Sequence, residues 1–192
     1  RDRSPSRGLG DVYKRQIMEM VDRIRDTAES HDRCMVVEVM GRRAGYLALN
    51  AGIAVGATAI LIPEIEFDIQ KDVIERMKRT LRTDKKHFLI IVAEGVGINV
   101  NELAKEIQAK TGVESRACVL GHVQRGGSPT ARDRLMGTRF ATRAVEALNN
   151  GDINQIMVYH DGQYGYASLD SVAGQQYSVN QDIINLCREL SC

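Results

Sequence analysis

Apolar residues fall at Ile17, Met20, Val21 and Ile24, the spacing of one face of a helix. Cys34 to Met40 then forms an apolar run broken only by Glu38 and stopped by Gly41, which reads as a buried strand. Leu47 to Ala54 is rich in small apolar residues and predicts a tightly packed helix, ended by Gly56. Ala59 to Ile62 is a second strand, closed by Pro63. Asp68 is placed to cap a helix whose inner face is Ile69, Val73, Ile74, Met77 and Leu81. Phe88 to Ala93 is a third strand, and Asn101 opens a helix that Gly112 is placed to end. Arg116 to Leu120 is a fourth strand. Pro129 suits the first turn of a long helix reaching Asn149. Ile156 to Tyr159 predicts a further strand and Gln181 to Leu190 a last helix, while 160–179 has no readable period. Strands apolar on both faces, alternating with helices, imply a parallel sheet covered on both sides: an α/β fold of three layers, α/β/α.

Residues 1–16 stand apart from this pattern. They carry no hydrophobic period, and Ser6 to Gln16 resembles a translated sequencing adapter. The expectation is a non-native scar without a packed partner, on a chain truncated upstream of Ile17. Composition adds bounds. The 192 residues are 43% hydrophobic and carry a net charge of +1, which gives no reason to expect a nucleic-acid or membrane partner. The four cysteines, Cys34, Cys118, Cys187 and Cys192, form no C-x-x-C pair; they point to free thiols in a reducing, cytoplasmic setting. No apolar run approaches the ~20 residues of a membrane span.

In open parallel sheets, ligands bind beyond the carboxyl ends of the strands. Those ends here deliver Met40-Gly41-Arg42-Arg43, then Glu94-Gly95, then Gly121-His122-Val123-Gln124-Arg125-Gly126-Gly127-Ser128. Guanidinium groups pair with phosphate oxygens at roughly 1.5–3 kcal/mol per charge-assisted bond, a carboxylate accepts from hydroxyls, and glycines admit a ligand to the backbone. Each piece alone has an ordinary reading as a surface arginine, loop histidine or turn. Their convergence suits an anionic, hydroxyl-bearing ligand.

V-E-V-M-G-R at Val37 to Arg42, then Ala44-Gly45, and L-G-H-V-Q-R-G-G-S-P-T-A-R-D-R from Leu120 to Arg134 resemble the motifs of bacterial-type, ATP-dependent 6-phosphofructokinases. Pro63-Glu64, Lys85 to His87 and Ala93 to Gly95 follow in the family's order and spacing. The resemblance implies a phosphofructokinase-like fold truncated at its N-terminus. Residues 17–123 would form the small, fructose 6-phosphate-binding domain and 124–174 the C-terminal part of the large, nucleotide-binding domain. Residues 175–192 would be a tail returning to the small domain. Met40, Gly41, Arg42, Glu94, His122, Val123, Gln124 and Arg125 would hold fructose 6-phosphate. Arg33 and Arg116 would reach the sugar phosphate of a neighbouring subunit in a homotetramer. Arg42 would also stabilise the transferred phosphoryl group.

The family's ATP loop, magnesium segment and catalytic aspartate have no counterpart among these motifs. Asp152, Asp161 and Asp182 read as turn or capping residues. The chain alone is therefore expected to be inactive, with ATP and Mg2+ held elsewhere in the parent enzyme. An allosteric ADP or phosphoenolpyruvate pocket would draw on Arg25, Lys85, Lys86 and His87. Thr58 and Thr83 stand there in place of a usual glutamate and lysine. Alternatives are a pyrophosphate-dependent phosphofructokinase and a non-catalytic sugar-phosphate-sensing subunit. More distant is nucleic-acid binding through Arg132, Arg134, Arg139 and Arg143.

Overall fold

The structure, a computed structural model, describes residues 10–160, 162–173 and 181–190. They divide into two compact units, one of 13–127 with 181–190, the other of 10–12 with 128–160 and 162–173.

The first unit is built on four parallel strands in the order β2 (Ala59–Leu61), β3 (Phe88–Ala93), β1 (Cys34–Val39), β4 (Ser115–Val119). Every residue of β3 is buried, as its unbroken apolar run requires of a strand with neighbours on both sides and helices on both faces. Alternation along β1 sorts its side chains between two cores. Cys34 and Val36 pack with Val73, Ile74 and Met77, and with Leu103 and Ile107 of α4 (Val100–Thr111). Val37 and Val39 pack with Ile17 and Val21 of α1 (Gly10–Ser30), and with Ala48, Leu49 and Ala51 of α2 (Tyr46–Ala54). Ile183 and Cys187 of α7 (Gln181–Leu190) join the second core. This is the expected α/β/α layering.

Local chemistry accounts for the helix ends. The Asn99 carboxamide accepts from the Asn101 and Glu102 amides at 3.0 and 3.3 Å, two residues ahead of the expected start of α4, and Gly112 closes that helix at φ +75°. Asp68 caps its segment, accepting from Lys71 N–H at 2.9 Å, but Ile69–Glu75 winds as a π-helix before α3 (Arg76–Thr80). The wider winding still buries Val73, Ile74 and Met77. Cys34 and Cys118 are free thiols. Burial pushes the Cys34 thiol up to about 12. Cys192 lies outside the described residues.

One expectation is corrected at the start of the chain. Residues 10–16 are the first turns of α1, and they do have packed partners. Val12 is only 2% exposed, Tyr13 is half-buried, and Asp11 accepts from the Thr130 hydroxyl at 3.3 Å. The Gln16 side chain lies against Gly127, where a β-carbon would come 2.6 Å from its amide nitrogen. Of the side chains of 11–16 only Val12 and Gln16 are buried, too few to make a period. Residues 1–9 lie outside the described residues.

In the second unit α5 (Ala131–Asn149) begins at a capping box. Thr130 N–H donates to Asp133 at 2.9 Å and Asp133 N–H donates back to the Thr130 hydroxyl at 3.2 Å, so Pro129 precedes the cap instead of opening the helix. The run expected as one more strand is β5 (Gln155–His160), and it does not join the parallel sheet. It pairs antiparallel with β6 (Gln163–Ser168), followed by the short α6 (Leu169–Val172). Asp152 is exposed in the turn before β5, and Asp182 lies in the first turn of α7. Asp161 and 174–180 lie outside the described residues. Among the described residues, no helix is long and apolar enough to cross a membrane.

Candidate functional site

Because β1, β3 and β4 are parallel neighbours, their carboxyl ends share one edge of the sheet. Beyond Val39 comes Met40–Arg43, beyond Ala93 the 3₁₀ turn Glu94–Val96, and beyond Val119 the 3₁₀ turn Gly121–Arg125. All three segments belong to the first unit.

The Met40–Arg43 segment is a tight turn, closed by Ala44 N–H donating to Gly41 O at 3.1 Å. Arg42 sits within it at φ +56°, a left-handed conformation that costs an L-residue roughly 1–2 kcal/mol. Its surroundings enforce it. The Glu94 carboxylate oxygen Oε1 accepts from Gly41 N–H at 3.1 Å and also from Arg42 N–H. Met40 N–H donates to the side-chain carbonyl of Gln124 at 2.8 Å. Gly95 permits the close approach, since a β-carbon there would lie 2.5 Å from Arg42 O. Below, Gly45 N–H donates to Glu64 at 2.7 Å, which ties the end of the turn to the segment after β2.

The side chains of the edge divide sharply. Arg42, Arg43, His122, Val123 and Arg125 are exposed. Arg42, His122 and Arg125 make no side-chain hydrogen bond or ion pair to any described residue. Met40, Gly41 and Glu94 are half-buried, whereas Gln124 is 2% exposed. The structure therefore brings Met40, Gly41, Arg42, Glu94 and His122 to Arg125 to one edge, but turns the Gln124 side chain inward. Glu94 is engaged with the backbone through one oxygen, a role its residue type did not signal. Glu38, half-buried on β1, has its carboxyl pushed above the ordinary value by burial and then by the charge of Glu94.

Arg33 and Arg116 lie at the opposite edge, just before β1 and at the start of β4. Arg116 is exposed, but Arg33 is half-buried rather than fully exposed. Both close on Glu114, at 3.1 Å from Arg33 and 2.6 Å from Arg116. The bond from Arg33 and the charge of both arginines hold the Glu114 carboxyl below its ordinary value.

The remaining candidates lie away from this edge. Arg25 donates to Val55 O and pairs with Asp22 at 3.7 Å, and His87 lies 3.3 Å from Glu29. Lys85 helps to line a cavity of about 440 Å³ with Thr58, Arg76 and Thr80, while Lys86 is exposed. The Thr58 hydroxyl accepts from Leu89 N–H at 3.3 Å and Thr83 is exposed. In the second unit Arg139 lies over the Tyr164 ring at 5.4 Å and Arg134 donates to Pro129 O. No cluster of three or more His, Cys, Asp or Glu among the described residues is placed to hold a metal ion.

Residues 14–148 match the family model "Phosphofructokinase". The chain is 44% identical over 181 residues to the ATP-dependent 6-phosphofructokinase of Bacillus thuringiensis (strain Al Hakam), covering 94% of this chain and 56% of that protein. The chain thus spans little more than half the length of the curated relatives it matches. Among solved structures, phosphofructokinase from Saccharomyces cerevisiae is 28% identical with a TM-score of 0.77, over 93% of this chain and 25% of that one. A structure titled pyrophosphate-dependent phosphofructokinase, from Marinobacter aquaeolei, is 24% identical with a TM-score of 0.72, over 95% and 54%. At that identity the likeness is one of fold.

Proposed function

This chain belongs to the phosphofructokinase family, and from that premise we propose that it is the sugar-phosphate-binding portion of an ATP-dependent 6-phosphofructokinase. The parent reaction transfers the ATP γ-phosphoryl group to the 1-hydroxyl of fructose 6-phosphate. The observation that carries this reading is the carboxyl-terminal edge, where Arg42, His122 and Arg125 are exposed without an acidic partner among the described residues while Glu94 is held against the backbone.

In this reading Arg125 and His122 receive the 6-phosphate, and Met40, Gly41 and Val123 shape the floor and wall. The second oxygen of Glu94 accepts from a sugar hydroxyl. Arg42, held at φ +56°, is directed to the phosphoryl group in transfer, whose charge grows on its equatorial oxygens. Residues 17–123 act as the sugar domain, 124–174 as part of a larger nucleotide domain, and 175–192 as a tail on the former. Arg33 and Arg116 serve the site of a neighbouring subunit in a cytoplasmic homotetramer, which requires them to leave Glu114. Among the described residues no cluster of three or more His, Cys, Asp or Glu is placed to hold magnesium, and none is assigned to it. No residue of this chain is assigned as base for the hydroxyl. The weaker effector reading places an anion by Arg25, Lys85, Lys86 and His87, with Thr58 supplying a hydroxyl where a carboxylate is usual.

Kinetics in an enzyme completed with the remaining family segments test the assignment. Arg42→Ser is expected to lower kcat on the order of 10²–10³-fold, the scale of one preorganised charge stabiliser, while Arg125→Ser acts chiefly on KM for the sugar phosphate. The 192-residue chain alone is expected to show no turnover. A normal kcat in Arg42→Ser would reduce Arg42 to a binding residue, and turnover by the chain alone would refute the division of labour.

A further inference from the structure

Within the 3₁₀ turn Gly121–Arg125, His122, Val123 and Arg125 are exposed and Gln124 alone is turned inward, to 2% exposure. A glutamine that contacted a ligand would share the exposure of its neighbours. Instead its carbonyl receives Met40 N–H at 2.8 Å. A backbone N–H can only donate, so this bond fixes the amide's orientation and turns its NH₂ group the other way. That nitrogen is buried and finds no partner among the described residues. An unmet buried donor costs on the order of 1–3 kcal/mol, so Gln124 is a poor choice for stability and an apolar residue of its size would cost less. What the glutamine alone supplies is the bond to Met40. With Glu94 holding the next two amides, three successive N–H groups, of Met40, Gly41 and Arg42, are tied to side chains delivered by two other strand ends.

We infer that Gln124 is a positioning residue: it sets the height of the Met40–Arg42 backbone, and through it the left-handed placement of Arg42, without touching the sugar phosphate. The inference rests on the proposed reading of the edge as the sugar-phosphate site. It assigns Gln124 a role different from that of Arg125 beside it.

Amide hydrogen exchange and fructose 6-phosphate affinity, measured on the 192-residue chain, test it together. Gln124→Met keeps the volume and removes the acceptor; Gln124→Glu keeps an acceptor and removes the amide nitrogen. In Gln124→Met the Met40 amide is expected to exchange about tenfold faster or more, with Val36 and Val37 unchanged, and affinity to fall by a similar factor. Gln124→Glu is expected to restore both. Unchanged Met40 exchange in Gln124→Met, or an equal acceleration through β1, overturns the inference. So does lost Met40 protection with unaltered affinity, or affinity lost equally in Gln124→Glu while Met40 stays protected, since the amide nitrogen would then be contacting the ligand. A parent chain that binds no fructose 6-phosphate instead removes the site reading, and the functional inference falls with it.

Discussion

At the amino-terminal edge of the sheet Arg33 and Arg116 share one carboxylate, Glu114, so both guanidinium groups are ion-paired within the chain. At the carboxyl-terminal edge Arg42 and Arg125 have no such partner among the described residues, although Glu94 is adjacent in the sheet. The difference lies in where each carboxylate is engaged. Glu114 meets guanidinium groups, whereas Glu94 meets backbone N–H groups and so fixes the turn without neutralising the arginines above it. The same residue types, two arginines and one glutamate, thus give one edge whose guanidinium groups are ion-paired and another whose guanidinium groups have no acidic partner among the described residues. An arginine already paired within the chain has less left for a ligand, while a preorganised arginine without such a pair keeps its capacity for one.

The comparison is most severely strained by closing the gap under the turn. Gly95→Ala would set a β-carbon 2.5 Å from Arg42 O, a backbone atom, and is expected to cost about 1–3 kcal/mol and to abolish the Arg42 geometry. Gly112→Ala, at φ +75° with nothing within 4 Å, is the control: about 1 kcal/mol and no effect on ligand binding. Urea unfolding of both variants separates the two; equal costs would mean the close approach at Gly95 is not a constraint. At the other edge, Arg116→Ser in a completed enzyme is expected to raise KM for the sugar phosphate about tenfold, with nucleotide KM unchanged. An unchanged sugar KM would confine Arg116 to its pair with Glu114.

Much of this was legible before the structure, and the exceptions share a cause. β3 was plain because six consecutive buried positions leave an unbroken apolar run. β6 was hidden because an exposed hairpin strand, with Gln163, Tyr166 and Ser168 facing outward, carries no apolar alternation. The first turns of α1 were missed for the same reason. At the site, residue type announced Arg42, His122 and Arg125, whose chemistry is in the side chain they expose. It did not announce that Glu94 and Gln124 act on backbone amides, because a hydrogen bond 53 or 84 residues away leaves no local pattern.

The smallest effects concern pH. Glu114, whose carboxyl is held low, contributes stability that is present above the ordinary glutamate value and lost as pH falls through its lowered one. Glu114→Gln is expected to flatten that decline in Tm at acid pH. Glu38 is opposite in sign: raised by burial and by Glu94, its contribution is present below the ordinary value and lost as pH rises through the raised one. Glu38→Gln is therefore expected to melt higher than the parent at pH 7, with the difference vanishing at acid pH. A parent that melts higher than Glu38→Gln at pH 7 would contradict a carboxyl raised by burial and by Glu94.

The most direct test of the contrast between the edges is an amide chemical-shift titration of the 192-residue chain with fructose 6-phosphate. The expected result is saturable shifts at Gly41, Arg42, Glu94 and His122 to Arg125, lost in Arg125→Ser and absent from Arg139 to Arg143. Saturable shifts confined to other parts of the chain, or none at the carboxyl-terminal edge up to saturating sugar phosphate, would contradict the account.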